Sequence, residues 1–119
     1  MNGVTLCTIT TMNIQEYIWL SVIMPKESKV HQSLFDYYFV YLNDYLQARD
    51  TVLESLVKFP EDVLLVHRKM FALFALNKTK QSIEVLMDLI QLEAFDRELT
   101  EEYQPAMLDV PEVIEMIKS

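Results

Sequence analysis

The sequence predicts an all-α protein made of antiparallel helical hairpins, on three observations. Its 119 residues contain a single glycine, where average usage would give about 8, so folds that need positive φ at many turns are disfavoured. Apolar residues recur at i, i+3 and i+4 spacing along most of the chain, which is the pattern of amphipathic helices. Polar stretches containing proline or asparagine separate these segments. The length predicts one helical domain over residues 1–119.

The N-terminal quarter contains two different patterns. Residues 1–11 are rich in threonine and β-branched side chains, a composition that disfavours helix, so we expect a flexible arm over 1–12. From residue 13 the apolar spacing becomes helical, and Asn13 followed by Glu16 resembles a capping box. Pro25 ends this pattern. We therefore predict an extra N-terminal helix over 13–24.

Three longer helices follow in the central part of the chain. The stretch 29–42 has almost no polar face, so we expect a helix that is buried on two sides or covered by a partner. The next helix, over 45–59, carries apolar residues on one stripe and charged residues opposite. Pro60-Glu61-Asp62 then opens a helix that runs to about Leu76, with proline in the first turn and two acids near the positive end of the helix dipole.

The C-terminal half of the pattern is less regular. Asn77 is expected to cap the preceding helix in the left-handed conformation, and a further helix is predicted over 79–93 from its inward apolar positions. The helical signal then weakens, and 94–108 is predicted to contain only a short acidic helical turn. A last helix over 111–118 is expected to cap the domain.

The acidic balance of the chain argues against nucleic-acid binding. Ten Lys and Arg residues against eighteen Asp and Glu residues give a formal net charge of −8, which repels phosphate backbones. The acidic excess is concentrated near the C-terminus, where residues 93–119 contain eight acids and two bases. Two interpretations remain open, namely a solvated surface and a docking surface for a basic partner.

Membrane insertion and secretion are not expected. The longest apolar stretch, Ile14 to Met24, is about 11 residues long and contains Glu16, whereas a bilayer-spanning helix needs roughly 20. No Lys or Arg precedes Lys26, so the charge pattern of a signal peptide is missing. The single cysteine, Cys7, cannot form an internal disulfide, which fits a reducing compartment. These observations predict a cytoplasmic protein.

No catalytic, cofactor or metal site is predicted. One glycine is too few for a glycine-rich phosphate loop, and His31 and His67 lie far apart in the sequence with no cysteine nearby. The adjacent acids Glu61-Asp62 and Glu101-Glu102 point to different helix faces, so capping and solvation explain them better than acid–base chemistry does. A small enzyme is the least favoured class of function.

A repeat of 34 residues links the central helices. The positions match in size and polarity rather than in identity. The matching pairs are Leu42-Asn43 with Leu76-Asn77, Ala48 with Ser82, Val52 with Leu86, Leu53 with Met87, and Leu56 with Ile90.

One segment of the chain resembles the second half of a tetratricopeptide repeat. It is Asp44-Tyr45-x-x-Ala48-x-x-x-Val52-x-x-Ser55-x-x-x-x-Pro60. The resemblance covers about residues 29–94 and implies two degenerate helix-hairpin repeats. The first helix departs from the family pattern, because Gln32, Phe35 and Asp36 stand where tryptophan, leucine and glycine are expected. An unrelated small helical bundle is the alternative.

The resemblance also implies a binding site. Proteins of this family present the inner faces of their first helices as a groove, which here would be lined by Tyr37, Val40, Tyr41, Leu64, His67, Phe71 and Phe74. Such an apolar and aromatic groove suits an amphipathic helix. Either a partner protein supplies that helix, or the protein's own N-terminal helix, led by Tyr17, Ile18 and Trp19, fills the groove.

These features predict a non-enzymatic protein-interaction module. In size, acidity and repeat pattern the chain is similar to the small tetratricopeptide-like chaperones of bacterial type III secretion, which implies a cytoplasmic adaptor that shields a partner's amphipathic helix from premature assembly. The alternative is a self-assembling structural or regulatory subunit that forms a homodimer through the apolar helices at 29–42 and 63–76.

Overall fold

A computed structural model describes residues 28–118, and this part of the chain is all-α, without a β-strand. The predicted all-α class is therefore confirmed there. The arm predicted over 1–12 and the helix predicted over 13–24 lie outside the described residues. The elements are α1 (Ser28–Asp36), a π-helical turn (Tyr37–Tyr41), α2 (Tyr45–Lys58), α3 (Val63–Ala75), α4 (Thr79–Gln91), α5 (Arg97–Tyr103), a 3-10 turn (Pro105–Asp109) and α6 (Pro111–Lys118).

The first predicted helix is not a single α-helix. After Asp36 the backbone widens into a π-helical turn, in which Leu42 donates its N–H to the carbonyl of Tyr37, five residues earlier, at 3.1 Å. The prediction of one helix over 29–42 is therefore wrong in its last turns. Such turns are rare and occur often at functional sites.

Aspartate side chains fix the starts of three helices. The carboxylate of Asp44 accepts the N–H of Gln47 at 3.1 Å, and Asp62 and Asp96 cap α3 and α5 in the same way. Each cap satisfies N–H groups that have no partner within the helix. Because Asp62 is the cap, Pro60-Glu61-Asp62 precedes α3, and the prediction that these residues form its first turn is wrong.

Three left-handed residues end helices without using a glycine. They are Asn43, Asn77 and Glu93, with φ angles of 53°, 64° and 56°. The predicted left-handed conformation of Asn77 is confirmed, and Asn43 adopts it 34 residues earlier. Asparagine tolerates this region better than most residues, whereas glutamate is strained there.

The 34-residue period is visible in the structure. The helices α2 and α4 begin at Tyr45 and Thr79, one period apart. Most matched pairs share the same degree of burial, so that Ala48 and Ser82 are fully buried whereas Leu53 and Met87 are exposed. The pair Leu42 and Leu76 differs, because Leu42 is exposed and Leu76 is half-buried. The period continues into α5, because the caps Asp62 and Asp96 are also 34 residues apart. The finer, tetratricopeptide-like arrangement of the hairpins stays a prediction.

Consecutive helices pack against each other around one core. The helix α2 packs on both α1 and α3, α3 packs on α4, and α5 and α6 lie against α3 and α4 respectively. The largest fully buried apolar side chains of this core are Phe35, Phe71, Leu65, Met70, Leu86, Leu89 and Met107. The short acidic helix predicted within 94–108 is α5, and the last helix spans 111–118 as predicted.

Candidate partner-binding surface

The seven residues of the predicted groove differ strongly in exposure. His67 and Phe71 have no exposed surface, and Tyr37 and Phe74 are half-buried. The exposed members are Val40, Tyr41 and Leu64. A partner could therefore reach only part of the set while the chain keeps this structure.

The chain's own helix α5 covers Phe71. The ring of Tyr103 stacks on that of Phe71, with 5.3 Å between centroids and 16° between planes. The side-chain amide of Gln104 donates to the Phe71 carbonyl at 3.4 Å. This part of the predicted groove is thus occupied by residues of the chain itself.

His67 is held as a neutral ring between α3 and the start of α5. Its Nε2 accepts the backbone N–H of Asp96 at 2.9 Å, so Nδ1 carries the proton and donates to the Val63 carbonyl at 2.8 Å. The Phe95 ring stacks against the imidazole at 6.0 Å. Burial lowers the pKa of His67, opposed by the Val63 carbonyl and Asp96. His67 therefore joins two elements of the fold.

A buried polar network attaches α5 to α1 and α3. Arg68 donates from Nε and Nη2 to the two carboxylate oxygens of Asp36, at 3.0 and 3.3 Å. The Tyr103 hydroxyl donates to Asp36 at 2.8 Å and accepts from Arg68 Nη2 at 2.8 Å. Burial, with the nearby Asp36 carboxylate, raises the pKa of Tyr103, so the hydroxyl keeps its proton and remains a donor.

The sequence pattern does not predict this network. Asp36 stands out only as a departure from the repeat pattern, and neither Arg68 nor Tyr103 belongs to a motif. One signal was available, since Arg68 interrupts the apolar run of α3 at a position that faces inward and is 5% exposed. An arginine there needs a buried carboxylate partner.

Four large apolar side chains around the π-helical turn stay exposed. They are Val40, Tyr41, Leu42 and Leu46, which are 52%, 45%, 50% and 53% exposed respectively. We call these four residues the π-turn surface. A cleft of about 250 Å³ lies beside them, here called the α5 cleft, and its lining residues are Asp36, Val40, Tyr41, Glu102 and Tyr103. Val40 and Tyr41 are thus exposed apolar side chains that also line a cleft, which makes this region a candidate interaction site.

A second cleft, of about 530 Å³, lies between α4 and the start of α6. Its lining residues are Thr79, Lys80, Ile83, Glu84, Met87 and Glu112. Among its described lining residues, Met87 is the one exposed large apolar side chain, and Lys80, Glu84 and Glu112 are charged. The π-turn surface has four exposed large apolar side chains.

His31 joins α1 to α2 near the start of the described chain. Ser55 donates its hydroxyl proton to the Thr51 carbonyl at 2.9 Å, so His31 Nδ1 is the donor in its 2.8 Å contact with Ser55. Among the described residues, nothing hydrogen-bonds the other ring nitrogen, Nε2. Burial and the charge of Lys58 lower the pKa of His31.

Within residues 28–118 no group of three His, Cys, Asp or Glu side chains is arranged to hold a metal ion. In the same range no helix is long and apolar enough to cross a bilayer. No protein-family model matches the chain, and neither a curated protein nor a solved structure is detectably similar to it.

Proposed function

We propose that this protein is a non-enzymatic interaction module that binds an amphipathic helix of a partner protein on the π-turn surface. The observation that carries the proposal is the exposure of Val40, Tyr41, Leu42 and Leu46, about half of each side chain, beside the α5 cleft. Burying such side chains against a partner removes apolar area from water, the main driving force of association.

The shape of the site suits a helix better than a small ligand. Small-molecule pockets usually hold about 300–1,000 Å³ and enclose their ligand, whereas the α5 cleft is smaller and opens onto an apolar surface. A helix recognised through i, i+3, i+4 and i+7 anchors needs such a surface, with one recess for an anchor side chain. Val40 and Tyr41 belong to both the surface and the cleft.

The proposal includes a finer role drawn from the resemblance. A cytoplasmic, tetratricopeptide-like chaperone of this kind would cover a partner's aggregation-prone helix until the partner is assembled or exported. The contacts would come from Val40, Tyr41 and the exposed Leu64, because α5 covers His67 and Phe71. Half-buried Tyr37, whose ring lies 6.3 Å from that of Tyr41, would support the surface from behind.

Self-association is the second candidate, and one observation favours it. Leu46, Leu53 and Val57 lie on one face of α2, and Val57 is 82% exposed. A second copy could cover this stripe. The predicted interface through 29–42 and 63–76 has less support, since Phe35 and Phe71 are fully buried in the chain's own core.

A selection with displayed helical peptides tests the proposed function. The full chain is immobilised and presented with amphipathic peptides of about 20 residues, long enough to be helical, and the affinity of each selected peptide is measured by fluorescence anisotropy. The double substitution Val40→Ala/Tyr41→Ala should weaken binding by about 30-fold or more, as expected for central anchors.

The control is Val57→Ala, which shortens a more exposed side chain on α2 and should leave the affinity unchanged. Failure to select any peptide, or peptides that bind the double variant as tightly as the parent chain, would contradict the proposal. Sedimentation of the chain without peptide tests the second candidate, self-association. If that candidate is correct, the chain should sediment as a stable dimer, and substitution of Leu53 and Val57 should dissociate the dimer.

A further inference from the structure

We infer that the partner helix carries a lysine or arginine whose charged group lies in the α5 cleft beside Glu102, about one helical turn from the apolar residue that contacts Val40 and Tyr41. The inference rests on the proposed function and specifies the chemistry of its partner. Of the two interpretations of the acidic C-terminal region, it favours a docking surface for a basic partner over a solvated surface.

The charges of the cleft support a cationic occupant. Asp36 and Glu102 both line it, but the Asp36 carboxylate is already paired with Arg68 at 3.0 Å. None of the ion pairs within residues 28–118 includes Glu102, which is exposed. Among residues 28–118 the Glu102 carboxylate therefore has no ion-pair partner, and an incoming cation would neutralise its charge.

The apolar wall of the cleft suits the stem of a basic side chain. Lysine and arginine carry aliphatic chains that pack on apolar surface while the charged end stays polar. Val40 and Tyr41 provide such a wall in the same cleft as Glu102. Residues three or four positions apart lie side by side on a helix, so an apolar anchor and a basic residue at this spacing could contact wall and carboxylate together.

The fold positions the backbone of Glu102 before any partner binds. The neighbouring Tyr103 is fixed by its hydrogen bonds to Asp36 and Arg68, and the Asp96 cap fixes the start of α5. Only the exposed Glu102 side chain then has to be ordered on binding. The acidic excess of residues 93–119 would also attract a basic partner at longer range.

The peptide selection is extended to test this inference. The library randomises the positions that flank the apolar anchors, and selection is run on the parent chain and on the Glu102→Lys and Glu54→Lys variants. Glu54 is exposed on α2, outside the cleft, and forms no ion pair among the described residues. Both substitutions change the net charge equally, and circular dichroism checks that each variant is folded.

Peptides selected on the parent chain should be enriched in lysine or arginine three or four positions from an apolar anchor. Their affinity should fall about tenfold on Glu102→Lys and about 2- to 5-fold on the milder Glu102→Gln. On Glu54→Lys it should change only by the small effect of the altered net charge. Increasing salt should weaken binding to the parent chain and have less effect on Glu102→Gln.

Failure of this inference can be distinguished from failure of the proposed function. Two results would overturn the inference and leave helix binding intact. In the first, the selected peptides depend on Val40 and Tyr41 but are not enriched in basic residues. In the second, they depend on Val40 and Tyr41 but lose equal affinity on Glu102→Lys and Glu54→Lys. Loss of all dependence on Val40 and Tyr41 would overturn both.

Discussion

The aromatic rings of Phe71 and Tyr103 stack almost in parallel, with centroids 5.3 Å apart, although they belong to α3 and α5. This contact closes the inner face of α3 with the chain's own C-terminal region. Of the predicted groove, only Val40 and Tyr41 at the π-helical turn and Leu64 on α3 remain exposed.

Removing the Tyr103 hydroxyl should weaken the attachment of α5 while preserving the stack. Tyr103→Phe takes away one donor to Asp36 and one acceptor for Arg68, and we expect a loss of about 1–2 kcal/mol in the free energy of unfolding. Tyr103→Ala also removes the ring over Phe71 and should cost about 3 kcal/mol. Urea unfolding measures both, and equal losses for the two variants would contradict the role of the stack.

The Asp36–Arg68 pair should show strong energetic coupling. The two side chains are 18% and 7% exposed, so replacing only one leaves a largely buried group without its partner. Asp36→Leu alone should cost about 3 kcal/mol. The double variant Asp36→Leu/Arg68→Met should cost at least about 1 kcal/mol less than the sum of the single variants, and additive losses in a denaturation cycle would contradict this.

Stability should decrease as the solution becomes mildly acidic. Burial lowers the pKa of His31 and His67 below the ordinary value of 6.5, so the unfolded chain binds more protons between each folded pKa and 6.5. The contribution of the two neutral histidines to stability is complete above pH 6.5. It is lost as the pH falls through the pKa values of the folded protein. The urea midpoints at pH 7.5 and 5.5 should differ less for His67→Gln than for the parent chain. An unchanged difference would show that His67 does not contribute to the pH dependence of stability.

The strained backbone at Glu93 offers a stabilising substitution. Its φ of 56° is a region where glycine has no steric penalty, and we expect Glu93→Gly to add about 0.5–1 kcal/mol to the free energy of unfolding. Glu93→Ala removes the same charge but keeps the β-carbon. A gain of equal size from alanine in thermal unfolding would show that charge, and not backbone strain, is responsible.

Local signals allowed most of the described helices to be predicted. Periodic apolar positions place α2, α4 and α6 to within a few residues, because a helix needs one continuous face for the core. Asn77 identifies a helix end because few other residues tolerate the left-handed conformation. The π-helical turn has no such signal, since the bulky sequence from Tyr37 to Tyr41 is also compatible with an ordinary helix.

The candidate site could be predicted only in part. Val40, Tyr41 and Leu64 were expected on an accessible face and are exposed, but His67 and Phe71 shared the same periodicity and are buried. The difference depends on where α5 packs, and that position is set by contacts between residues far apart in sequence, such as Tyr103 with Asp36. Spacing along one helix does not contain this information.

The most direct test of helix binding is an NMR titration of the isotope-labelled full chain with a selected peptide. We expect the backbone amide shifts to change at Val40, Tyr41, Leu42 and Leu46, and at Glu102 in the α5 cleft. Changes concentrated around Val57 on α2 or around Met87 beside α6, with the π-turn surface unaffected, would contradict it.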